Sequence, residues 1–221
     1  MTITSLGLPA PPLPWEGRVH SVFDHSCNIR LAAGVPLITL HSFDFGTLPL
    51  SLFVPDLDTG GWRPGDPVRA DSSGVQVGGR LLEWGADLTE TDTRIPRRPL
   101  PRSWRETKTL LADNRRHTTG QPLLQEVYAA LAQALDGLWE ALLAGRAEGV
   151  AAQCRACIGL GQGLTPSGDD MLLGTFAALH MYEPDLVPAL AAGALPQLGR
   201  TNDISATYLT LAAQGRAATP V

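Results

Sequence analysis

Two hydrophobic periods divide the chain. From Arg18 to about Trp84, apolar and polar residues alternate over short runs, as in strands whose successive side chains face opposite ways. From Leu123 onward, apolar residues recur three and four positions apart, the spacing of one helix face. The change of period falls near residue 87.

In the first region, Arg18 to Phe23 alternates. Asn28 to Leu31 and Val35 to Leu40 read as a hairpin through Ala32-Ala33-Gly34. Leu48 to Val54 is a further strand, and Pro49 sets it a late start or an edge position. Val68 to Asp71, Val75 to Val77 and Arg80 to Trp84 are short strands joined by Ser72-Ser73-Gly74 and Gly78-Gly79. About six short strands at this spacing predict a small barrel or sandwich. In the second region, Pro122 fits the first turn of a helix whose apolar positions run from Leu123 to Leu143, with Gly145 as its stop. Further helices are expected over roughly Glu148 to Cys157, Ser167 to Met181, a short one from Pro184, and Ile204 to Ala213. Between the regions, residues 87–103 hold Pro96, Pro99 and Pro101 with four arginines, a composition that suits a crossing linker.

The resulting expectation is an α+β chain. A small N-terminal β-barrel or sandwich-like domain over 16–86 is followed by the linker 87–103 and a mostly helical domain over 104–221. The helix over 204–213 is apolar on one face, and Ala217-Ala218-Thr219-Pro220 then breaks it. The helical layer is therefore expected either to be short or to lack its last helices.

Composition narrows the partners. The net charge is -5, and the basic cluster from Arg94 to Arg105 is interrupted by prolines, so no nucleic-acid partner is expected. No run of about 18 apolar residues suggests a membrane span. The first fifteen residues lack the basic start and apolar core of a secretory signal, and three cysteines make no disulfide framework, so a reducing cytoplasm is expected.

The densest chemistry lies in Gly159-Leu160-Gly161-Gln162-Gly163-Leu164-Thr165-Pro166-Ser167-Gly168-Asp169-Asp170. Glycines allow positive φ and close approach to a ligand. Ser167 or Thr165 can cap the following helix, and Asp169 and Asp170 fall in its first turn, near free backbone N–H groups. Met171 to His180 is apolar on nearly every side, so the helix should be buried. Two chemistries fit. The N–H groups with Thr165 and Ser167 suit a phosphate or carboxylate. Alternatively, Asp169 and Asp170 suit a magnesium ion. The plainer reading is a tight turn with the aspartates capping the helix. Adjacent aspartates point about 100° apart, so one can face a ligand while the other caps. No lysine follows the last glycine as in a nucleotide-binding P-loop.

A second polar helix start, Thr201 to Tyr208, offers Thr201, Asn202 and Ser205 to complete a pocket, or simply an N-cap. Cys154 and Cys157 have C-x-x-C spacing without a second pair, which favours two core thiols over zinc or redox use. His25 and Cys27 read as alternating on one strand face, and packing or surface placement is favoured over a nucleophile–base pair. Phe43-Asp44-Phe45 and Trp84 read as core or edge residues.

The twelve-residue glycine run resembles the signature of the AllH-like family, and Thr201 to Tyr208 resembles that family's second motif. Weaker similarities lie in Val19 to Phe23, Leu37 to Leu40, Pro49 to Leu52 and Val75 to Gly79, so the resemblance spans roughly residues 17 to 213. It implies a subunit of oxamate carbamoyltransferase, which interconverts oxalurate and phosphate with oxamate and carbamoyl phosphate in anaerobic allantoin breakdown. It also implies an FdrA-like partner subunit and one more subunit. On this basis Gly161, Gly163, Thr165, Ser167 and Gly168 are expected to bind the phosphate or carboxylate, with Thr201, Asn202 and Ser205 beside them. Asp169 or Asp170 is expected to position the substrate amide or a metal. The rival expectations are a non-catalytic anion-binding scaffold and a magnesium-dependent hydrolase or phosphotransferase.

Overall fold

A computed structural model describes residues 1–32, 34–43, 46–98 and 122–219, with only the backbone described at Gly34, Val35 and Pro122 to Leu124. Asp44, Phe45 and the part of the linker beyond Arg98 lie outside the described residues. The chain divides into two compact units, Met1–Arg94 with Arg216–Val221, and Ile95–Gly215.

The first unit is a closed eight-stranded barrel of β1 (Thr2–Gly7), β2 (Trp15–Phe23), β3 (Ser26–Leu31), β4 (Gly34–His41), β5 (Ser51–Phe53), β6 (Pro67–Asp71), β7 (Gly74–Val77) and β8 (Arg80–Thr91). Around the barrel the order is β1-β5-β4-β3-β2-β6-β7-β8. Alternation puts buried apolar residues opposite one another across the ladders: Ile29 with Ile38, Cys27 with Leu40, Val68 with Val77, and Val75 with Leu82. Burial of such cross-strand pairs is the unit of sheet stabilisation. Gly78 (φ 54°) and Gly79 (φ 87°) take the two positive-φ positions of the tight β7–β8 hairpin, which other residues adopt at a cost. The expected strand from Leu48 begins only at Ser51, after the proline.

Three features depart from the sequence reading. β1 lies in the stretch before residue 16 and closes the barrel, pairing antiparallel with β5 and parallel with β8. β8 continues to Thr91, into the stretch read as linker, because Ser5, Leu6 and Gly7 pair with Thr89, Glu90 and Thr91. The residues after the last helix rejoin the barrel unit: Arg216 bridges to Arg94, and Thr219 to Thr47.

The second unit contains α1 (Pro122–Leu143), α2 (Ala147–Cys157), α3 (Ser167–Tyr182), α4 (Val187–Ala194) and α5 (Asp203–Ala213), with 3-10 turns at Pro184–Leu186 and Leu195–Arg200. Gly145 (φ 64°) ends α1. The Gly145 N–H donates to Leu142 O and the Arg146 N–H to Ala141 O, the paired bonds of a glycine-terminated helix. Leu138, Cys154, Leu172, Phe176, Leu179, Leu190 and Leu209 form the buried centre. Of residues Met171 to His180 only Gly174 is exposed, so α3 is embedded as its composition predicts. No helix among the described residues is long and apolar enough to cross a membrane.

Candidate functional site

The glycine run connects α2 to α3, and its fold is set by close backbone approaches. A Cβ on Gly168 would lie 2.0 Å from Cys157 O, so this helical glycine lets the end of α2 meet the start of α3. Gly159 (φ 80°) leaves no room for a side chain beside Arg200 O, at 2.4 Å, and Gly161 (φ 125°) none beside Ser167 N, at 2.6 Å. Gly163 (φ 93°) has nothing within 4 Å of the corresponding position and faces open space.

The two aspartates have different surroundings. Asp169 is fully buried. Its Oδ1 accepts from the Gly159 N–H at 2.9 Å, and its Oδ2 accepts a short bond from the Thr201 hydroxyl. One carboxylate therefore joins the start of the loop, the first turn of α3 and the approach to α5. Asp170 is exposed. Partial desolvation raises its carboxyl above the ordinary range, a hydrogen bond with Thr165 opposes that rise, and neighbouring Asp169 adds to it.

The cap of α3 is a correction to the sequence reading. Neither Thr165 nor Ser167 fills the N-cap position. Pro166 does, without a side-chain cap bond, and its carbonyl accepts from the N–H groups of Asp169 (2.9 Å) and Asp170 (3.1 Å). Thr165 turns to Asp170 instead, and Ser167 is the first helical residue. The Gly168 N–H donates to Leu160 O at 2.8 Å. The helix-start donors from Gly168 to Asp170 thus have partners within the chain. Among the described residues, the N–H groups of Gly161, Gly163, Thr165 and Ser167 have none.

Thr201, Asn202 and Ser205 come against this loop. Asn202 Oδ1 caps α5 by accepting from the N–H groups of Ile204 (3.0 Å) and Ser205 (3.1 Å). Its Nδ2 donates to Leu164 O at 2.9 Å, and Ser205 Oγ donates to the same carbonyl at 3.3 Å. The Leu164 side chain is exposed above that anchored backbone. Sequence reasoning placed the two motifs in one pocket but did not see that they bond to each other. An asparagine at a cap has both an acceptor and a donor, and the unused donor was the signal.

Asp169 has both oxygens engaged, so as a metal ligand the loop offers Asp170. Among the described residues no group of three or more His, Cys, Asp or Glu gathers as a metal site. Cys154 and Cys157 are buried core thiols, pushed up to about 12 and about 11 chiefly by burial, which keeps them protonated. His25 lies in the exposed β2–β3 turn and not on the strand with Cys27, which is buried in the barrel core, so the two do not share a face.

A closed β-barrel unit and a helical unit, the latter holding a glycine loop tied to a Thr-Asn helix start, define the class. A family model described as oxamate carbamoyltransferase subunit AllH matches residues 157–221, and one described as the AllH family N-terminal domain matches residues 7–93. The chain belongs to the AllH family. The first match takes in the glycine loop and the Thr-Asn motif together. Comparison with curated proteins and with solved structures gave no match.

Proposed function

We propose that the chain acts as a subunit of oxamate carbamoyltransferase and that its 159–170 loop binds a small anion: phosphate, carbamoyl phosphate or the substrate carboxylate. The observation that carries this reading is the unpaired set of loop N–H groups around open Gly163, held in place by Asp169 and Asn202, with exposed Asp170 alongside. Fixed backbone donors of this kind hold an anion and stabilise charge developing on a carbonyl oxygen.

In the direction of carbamoyl transfer, the oxamate amide nitrogen attacks the carbamoyl carbon and the bond from that carbon to the phosphate oxygen breaks. The amide nitrogen loses one proton and the departing phosphate gains one. In this reading Asp170 accepts that proton and passes it on, and its raised affinity for protons suits the role. Asp169 is a positioning residue. The loop is exposed, which suits a site completed by partner chains, an FdrA-like subunit and one more, in allantoin breakdown in the cytoplasm. The engagement of both Asp169 oxygens also favours a second reading, a non-catalytic anion-binding scaffold. It gives less support to a magnesium-dependent hydrolase.

The test is a thermal-shift titration with phosphate, carbamoyl phosphate, oxamate and oxalurate, followed by turnover with the partner subunits present. A ligand at 100 times its Kd stabilises the folded chain by about 2.7 kcal/mol. Anions are expected to raise the Tm. Asp170→Asn should keep the response to phosphate while turnover falls by about a hundredfold or more. No anion response at millimolar concentration would overturn the binding reading. Unchanged turnover in Asp170→Asn would leave the scaffold.

A further inference from the structure

The register of the barrel places one charged residue on the core-facing side of the sheet. Leu6 of β1 stands opposite Leu52 of β5 and, on its other side, opposite Glu90 of β8, while Leu52 stands opposite Leu40 of β4. Residues directly opposite one another point to the same face of a sheet. Leu6, Leu40 and Leu52 are buried, so Glu90 shares the side that faces the core. It is nevertheless exposed, which puts it at an open end of the barrel. Alternation reserves the core-facing side for apolar residues, and Glu90 breaks that pattern. The ion pairs of this unit join Arg69 to Glu16, Arg80 to Asp58, and Arg94 and Arg216 to Asp92, and among the described residues none includes Glu90.

Glu90 lines a pocket of about 410 Å³ together with Leu6, Trp15, Leu52, Trp84 and Leu88. That volume suits a small molecule, and barrel mouths are a common place for such sites. Trp15 lies on the same inward side, opposite buried Ala70. The Trp84 indole N–H donates to Asp71 O at 2.8 Å, which holds one aromatic ring of the lining in place. Leu50, also in the wall, has a φ of 54°, a left-handed conformation that a non-glycine residue adopts at a cost and that recurs at ligand sites. The lining decides the class of ligand. Among the described residues Glu90 is its single charged side chain, set in a wall that is otherwise apolar except for Ser51 and Ser72. Ser51 Oγ already gives its proton to Leu48 O. Two indoles and a carboxylate at the edge of an apolar wall select a cation, because the face of an indole is negative. The same carboxylate repels phosphate, carbamoyl phosphate and oxamate, so this pocket does not duplicate the glycine loop.

We propose that this barrel-mouth pocket binds a small organic cation with an apolar body, of the arylalkyl amine class. The body packs against Leu6, Leu52 and the two indoles, and the ammonium group meets Glu90. Burial of the apolar body supplies most of the affinity, and the exposed ion pair supplies selectivity. The inference stands apart from the assignment of the glycine loop.

Titration of the full chain with phenethylamine, its neutral isostere 2-phenylethanol and the anion phenylacetate tests it. The readout is the NMR signal of the Trp84 indole N–H, assigned from its loss in Trp84→Phe. A saturable shift is expected with the amine, at a Kd about fivefold below that of the alcohol, which is the upper end of what an exposed ion pair contributes. Phenylacetate should leave the signal in place. Glu90→Gln should bring the amine to the Kd of the alcohol and leave the alcohol unchanged, a selective loss that misfolding does not mimic. The proposal is overturned if the amine does not move the Trp84 signal at millimolar concentration, or if the alcohol or the acid binds as tightly as the amine. It is also overturned if Glu90→Gln keeps the preference for the amine, or weakens amine and alcohol alike.

Discussion

Asp169 and Asp170 are neighbours of the same type, and the fold gives them different work. Asp169 receives two donors, the Gly159 N–H and the Thr201 hydroxyl. An asparagine there has one acceptor oxygen and one NH2, so one of the two donors would face another donor. Asp169→Asn should therefore lower stability by about 1–3 kcal/mol, the usual cost of an unsatisfied buried polar group. Asp170→Asn, at an exposed position, should change stability by about 0.5 kcal/mol or less. Urea denaturation of both variants decides the matter, and equal losses would erase the distinction. The sequence suggested that the two aspartates differ in role, one capping the helix; neither caps it, and the burial of Asp169 was not legible because it depends on Gly159 and on Thr201, 32 residues further along the chain.

At the scale of the element, Asn202 joins two pieces of structure through two atoms. Its Oδ1 caps α5 and its Nδ2 holds the Leu164 carbonyl. Asn202→Asp keeps the acceptor and loses the donor, while Asn202→Ala loses both. The alanine variant should be less stable by about 1–2 kcal/mol, as expected for loss of an N-cap. The aspartate variant should keep most of that stability yet expose the loop. Hydrogen exchange at the bonded loop amides of Gly159 and Gly168 would report the release, and protection there equal to wild type in Asn202→Asp would refute the tether. The elements themselves were legible where their periodicity is local. The helices over Pro122–Leu143, Ala147–Cys157 and Ser167–Tyr182 follow from apolar spacing, prolines and Gly145. β1 and the far half of β8 were not legible. Residues Asp87 to Thr91 are exposed except for half-buried Leu88 and Thr91 and lack apolar alternation, and Thr89 to Thr91 are strand because distant Ser5, Leu6 and Gly7 pair with them. The return of Arg216 and Thr219 to the barrel unit is non-local in the same way.

At the scale of the whole molecule, the acid side of the stability curve should carry the mark of one barrel histidine. His41 is fully buried between Phe43 and Phe53, with ring centroids 5.6 and 5.5 Å away, and its Nε2 lies 3.3 Å from Ser51 Oγ. Ser51 donates its own proton to Leu48 O at 2.7 Å, which leaves Nε2 as the donor in this contact. Burial lowers the His41 pKa from 6.5 to about 4, against a smaller upward pull from the Phe43 backbone. Between these values the unfolded chain binds a proton that the folded chain does not. Stability therefore falls as pH drops from about 6.5 to about 4, by about 3 kcal/mol across the window at roughly 1.4 kcal/mol per pKa unit. The exposed carboxylates of Asp58, Asp71 and Asp92 are held below 3.8 by their hydrogen bonds, so their contribution is lost at lower pH. Asp170, raised by partial burial, acts in the opposite sense and offsets part of the fall. Urea denaturation at pH 7, 6, 5 and 4.5 should give a decreasing free energy of unfolding in wild type. The non-titrating His41→Gln should give a flatter slope, even if its absolute stability is lower. Parallel slopes in the two proteins would mean that another group sets the acid limb.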